Sequence, residues 1–82
     1  MFNKVIAVKP LDDYVLSVTF DNGQHKYYDI KPLFEKYKAF TALQTINGLY
    51  GLVTVDMGGY GISWNDEIDI SCNELYNNGI AA

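Results

Sequence analysis

The sequence predicts an α+β domain: a mostly antiparallel sheet in the order β-β-β-α-β-β-α, with short helices packed on one face. Three observations predict it. Tyr14–Phe20 alternates between two faces along its whole length, the period of a half-buried strand. Asn22-Gly23 separates that run from a second strand-like run, the strongest short hairpin signal. Ser71-Cys-Asn-Glu74 has the spacing of a helix capping box. At 82 residues the chain is one domain, 1–82, with a thin core.

Each element follows from its residues. Asn3–Lys9 holds Val5, Ile6, Ala7 and Val8, a short apolar run that reads as a strand. Pro10-Leu11-Asp12-Asp13 is a turn, because Pro presets φ and Asp bonds its own backbone. In Tyr14–Phe20 the inward face is Tyr14, Leu16, Val18 and Phe20. The Asn-Gly turn calls for positive φ at both central residues. Gln24–Asp29 returns antiparallel, with either Tyr28 and Ile30 or Tyr27 facing inward. Asp29 caps a short helix whose first turn tolerates Pro32 and whose apolar stripe is Leu33, Phe34 and Tyr37. Thr41-Ala-Leu-Gln44 has capping-box spacing, so a second short helix or turn covers Ala42–Asn47 and stops at Gly48. Leu49–Asp56 reads as a strand with Val53 and Val55 inward. Met57-Gly58-Gly59 turns the chain into Tyr60–Trp64, where Tyr60, Ile62 and Trp64 oppose Gly61 and Ser63. A last helix, Cys72–Asn78, docks through Leu75 and Tyr76 and ends at Gly79.

The charge is unevenly spread. All six lysines lie between Lys4 and Lys38, there is no Arg, and residues 42–82 carry five acids and no base. The net charge is −4. A free-standing nucleic-acid binder normally carries a basic patch, so none is expected here. No run of about 18 apolar residues is present to span a membrane. A single Cys excludes an internal disulfide framework, and no signal-peptide core follows Met1. The expectation is a full-length cytoplasmic protein.

Candidate chemistry is sparse. Gly58-Gly59-Tyr60-Gly61 lacks the helix and Lys of a phosphate loop and reads as a hairpin turn. His25 stands alone, without the partners a metal site needs. Cys72 falls in a first helical turn, which can activate a thiol, but neighbouring acids oppose a thiolate and a buried apolar role fits better. Asp66, Glu67 and Asp69 lack calcium-loop spacing. They read as a solvated turn, with Asp69 capping locally, or as a partner-facing acidic patch. Seven Tyr and one Trp serve the core, and an exposed one beside the acidic turn suits an interface.

Two blocks carry a family resemblance. The first is VKPLDDYVLSVTFDNG from Val8 to Gly23, continuing as YDIKPL from Tyr28 to Leu33. The second is VDMGGYGISWNDEIDI from Val55 to Ile70, continuing as NELY from Asn73 to Tyr76. Together they resemble domain of unknown function 2442, a family of small bacterial proteins. The resemblance implies a compact antiparallel α+β domain and no established catalytic residues. It also implies a setting. Such genes often sit beside one for domain of unknown function 4160, in a pair resembling a toxin–antitoxin module with this family on the antitoxin side. Some relatives add a helix-turn-helix domain; none is expected after Ala82 here, nor operator binding by this chain alone.

The expectation is therefore a protein-binding module rather than an enzyme, needing no cofactor or metal. Its partner would be a basic protein encoded by a neighbouring gene. The candidate partner-binding residues are Trp64, Asn65, Asp66, Glu67, Asp69 and Tyr76. Two alternatives stand beside it: a small-ligand-binding or enzymatic domain, and a homo-oligomeric scaffold joined at open sheet edges.

Overall fold

A computed structural model describes residues 2–82. Two antiparallel sheets share one core. The first has the order β1-β2-β3-β7, built from Val5–Pro10, Val15–Phe20, His25–Asp29 and Ile80–Ala81. The second has the order β4-β5-β6, built from Thr54–Val55, Gly61–Ser63 and Asp69–Ser71. Helices α1 (Lys31–Lys36) and α2 (Ala42–Thr45) connect the sheets, and α3 (Cys72–Asn78) follows β6 directly. The α+β class and the antiparallel pairing are as the sequence predicts. The chain adds two strands to that order, β6 and β7.

The alternation of β2 does what its period requires. Leu16, Val18 and Phe20 are buried, while Val15, Ser17 and Thr19 lie on the half-buried opposite side. Leu16, Val18 and Phe20 form one cluster with Tyr28, Ile30, Leu33, Ile62, Ile70 and Leu75. The ambiguity in β3 resolves in favour of Tyr28 and Ile30, with Tyr27 outward. Tyr14 departs from its predicted place. It precedes the strand, in the left-handed region beside Asp13 (φ 57° and 60°). That conformation is costly for non-glycine residues, and tertiary contacts hold it. Ile30 N–H donates to Tyr14 C=O at 3.1 Å, and the ring packs edge-on to Phe34 and Tyr50.

The first hairpin uses a different turn from the expected one. Only Gly23 has positive φ, at 87°. Gly23 N–H donates to Phe20 C=O, and Phe20 N–H donates to Gln24 C=O. This is the three-residue loop, a turn followed by a left-handed glycine. Asn22 contributes through its side chain, accepting from Gln24 N–H at 2.9 Å.

Three further expectations need correction. Thr41 is already helical (φ −63°, ψ −21°) at the end of a 3-10 turn over Lys38–Thr41, so its hydroxyl donates back to Lys38 C=O instead of capping α2. Leu49–Asp56 is a strand only at Thr54–Val55, because Tyr50–Leu52 coils into another 3-10 turn. Asp69 is no cap; it pairs with Ser63 across β5 and β6. The capping box at α3 does form its N-terminal bond, with Ser71 Oγ accepting from Glu74 N–H at 3.1 Å. Asp29 is the expected cap of α1, but the capping position is Ile30; Asp29, one residue earlier, still accepts from Lys31 N–H.

Gly59 marks where the sheets meet. Its φ is 80°, and a Cβ there would stand 2.6 Å from Val5 C=O. Only glycine allows this approach. No helix among the described residues is long and apolar enough to cross a membrane.

Candidate functional site

The acids of the second half are gathered by β6 and the start of α3. The β5–β6 hairpin turns at Asn65, whose Oδ1 accepts from Glu67 N–H and Ile68 N–H at 2.9 and 3.0 Å. Trp64 N–H donates to Ile68 C=O and closes the loop. Glu67 on that turn and Asp69 on β6 are both exposed. Glu74, in the first turn of α3, joins them. Opposite this wall run α1 and the following 3-10 turn. A groove of about 420 Å³ lies between the two. Leu33, Phe40 and Ile70 supply its apolar lining, and Glu67, Asp69 and Glu74 its acidic one. Tyr37, half exposed at the end of α1, stands at its rim, and Lys36 is the one cation lining it among the described residues.

The carboxylates are available. Among the described residues the ion pairs are those of Lys31 with Asp13 and Asp29, outside the groove. No three acids, Cys or His converge closely enough to hold a metal ion among the described residues. Spread along a wall in this way, the three acids suit several contacts with an extended cationic surface. A second depression, about 440 Å³, lies by Leu11, Asp12, Asp13 and Ile46. There Asp13 is already engaged by Lys31.

Tyr28 is the hydroxyl behind the acidic wall. It donates to Glu74 Oε2 at 2.7 Å. Burial, and then this hydrogen bond, push its pKa well above the ordinary tyrosine value. The unfolded chain ionises Tyr28 near its ordinary value of 10.0, whereas the folded chain keeps the proton. Its contribution to stability is therefore fully present below that pH and is lost as pH rises above it. We expect wild type to lose stability more steeply than Tyr28→Phe in alkaline denaturation series above pH 10.0. Parallel stability curves would contradict the assignment.

The six sequence-predicted site residues do not form one patch. Glu67 and Asp69 line the groove. Asp66 is exposed on the hairpin turn, and Asn65 is exposed with its side chain committed to that turn. Trp64 is only 7% exposed. Its Nε1–H donates to Tyr50 C=O at 2.8 Å, and Tyr50 OH donates in turn to Leu11 C=O, tying the second sheet to the first. The ring cannot serve as the exposed aromatic flank; a strand with alternating faces placed it inward beside Ile62. Tyr76 turns to the first hairpin. Its ring meets Phe20 edge-on at 5.0 Å, Lys26 Nζ lies 3.9 Å from its centroid, and Asn22 Nδ2 donates to its hydroxyl. The exposed aromatic at the groove is Tyr37, which the sequence offered only as part of an apolar stripe. Glu74 was visible as a capping-box residue and not as a groove wall.

The remaining reactive groups do not assemble. Cys72 is buried, with its Sγ 4.0 Å from Asn73 Oδ1. His25 is exposed on β3 and hydrogen-bonded to Ser17 on the neighbouring strand. No hydrogen bond joins the two.

A family model described as "Protein of unknown function (DUF2442)" matches residues 5–81. No curated protein and no solved structure matches the chain.

Proposed function

The chain belongs to the family of proteins of unknown function DUF2442, and from that premise we propose that it is a protein-binding module, an antitoxin-like partner that receives a basic protein. The observation that carries this reading is the groove between α1 and β6. Glu67, Asp69 and Glu74 line it over apolar residues, with no cation within ion-pairing distance of them among the described residues. Opposite charge on a partner speeds encounter and fixes orientation. The apolar lining adds area that leaves water on docking. The family setting of a neighbouring-gene partner agrees with both.

The experiment mixes this chain with the purified product of the adjacent gene and follows the mixture by size exclusion and calorimetry. A complex forms at low ionic strength and weakens as salt rises, because the contributing charges lie near the surface. Absence of a complex at low salt overturns the reading.

A further inference from the structure

We propose that β6 is an acceptor edge: an extended, basic segment of the partner adds as a strand to Asp69–Ser71 inside the groove. This inference rests on the protein-binding reading and specifies its mode. Its basis is the direction of the backbone groups. Trp64 N–H donates to Ile68 C=O, and Cys72 N–H donates to Tyr60 C=O. Hydrogen-bonded pairs alternate along an antiparallel ladder. The bonded pairs are therefore Trp64–Ile68, Ile62–Ile70 and Tyr60–Cys72, in the register of this hairpin. The intervening residues Asp69 and Ser71 turn their backbone groups away from β5. Ser71 C=O begins the α3 ladder, as an N-cap carbonyl does. Asp69 N–H, Asp69 C=O and Ser71 N–H are left with no partner among the described residues.

An open edge is a template for another strand, and β-strand addition is a recurring mode of peptide recognition. Here the edge lies in the groove itself, since Asp69, Ile70 and Ser71 all line it. The charge of the groove selects the occupant. Directly opposed residues in a sheet share a face. The partner residues opposite Asp69 and Ser71 therefore emerge on the acidic side, near Glu67 and Asp69, where lysine or arginine fits. The residues between them fall on the side of Ile70, toward Leu33 and Phe40, where an aliphatic side chain fits. The sequence expected of the segment alternates basic and aliphatic residues. The same alternation fixes which of its N–H groups meet β6: those of the basic residues.

The test uses a capped synthetic peptide alternating lysine and valine, added to the isotopically labelled chain. Amide exchange is then read by NMR. Binding slows exchange at Asp69 and Ser71 by about tenfold or more. A peptide N-methylated at its lysines loses affinity by about tenfold or more, because its bonds to the edge are blocked. A peptide N-methylated at its valines, with the same charge, binds as the parent does. Equal binding by all three peptides, with Asp69 and Ser71 unprotected, overturns the edge pairing and leaves the groove reading intact. No binding at the groove also overturns the edge pairing, while the groove reading is decided separately by the complex with the adjacent gene's product.

Discussion

The triple variant E67Q/D69N/E74Q keeps its fold and loses about 100-fold in affinity for the basic partner. Each carboxylate is expected to contribute about 1 kcal/mol when partly desolvated against a cation, and about 3 kcal/mol corresponds to roughly two decades in Kd. The fold survives because none of the three sits in an ion pair among the described residues. Glu67 and Asp69 are exposed. Glu74 accepts from Tyr28 OH, and the amide oxygen of glutamine can accept the same bond. Glutamine is also compatible with the third position of a capping box. The loss is greatest at low salt and shrinks as salt rises, since screening already weakens the wild-type contacts. A variant that binds as wild type does, with an unchanged circular dichroism spectrum, places the partner elsewhere.

Phe20→Ala has the largest expected effect on stability. Phe20 is fully buried at the end of β2, next to the hairpin loop, and packs edge-on against Tyr76 of α3. Its ring thus joins the first sheet to the last helix. Truncating a buried phenylalanine costs about 3–5 kcal/mol. A domain of this size has a total stability of roughly 4–12 kcal/mol. The variant therefore unfolds at a Tm lower by upward of about 12 °C. It also frees Tyr76, and with it the seat of Lys26 over that ring. Thermal denaturation checks this, and a cost under about 1 kcal/mol would show that Phe20 does not carry the junction.

The parts of the fold legible in the sequence are those whose signal is local. Leu16, Val18 and Phe20 announce an inward face by period alone, and Ser71 and Glu74 announce a helix start by spacing alone. The short strands could not be read this way. β6 has three residues and β7 two, too few to establish a period of two. Their assignment depends on partners supplied by β5 and β3. Thr41 carried the right spacing and failed as a cap, because the preceding turn had already fixed it in a helical conformation. Local propensity there yields to context.

The candidate site divides the same way. The concentration of acid in the second half is a property of composition, and Glu67 and Asp69 do reach one surface. What composition does not contain is the opposite wall. Leu33, Tyr37 and Phe40 meet β6 only because α1 and its following turn pack across from it. The aromatic nearest in sequence, Trp64, does not flank the groove, for a physical reason. Its indole is needed in the core, where its N–H has a carbonyl partner.

The proposed basic partner docks in the groove between α1 and β6. Chemical-shift mapping of the labelled chain, titrated at low salt with the unlabelled product of the adjacent gene, tests it most directly. The largest changes are expected in two segments, Leu33–Phe40 and Glu67–Glu74, and they recede together as salt is added. Changes concentrated instead on Ser17, His25 and Tyr27 of the first sheet, or on Phe2, Met57 and Tyr60, would contradict it.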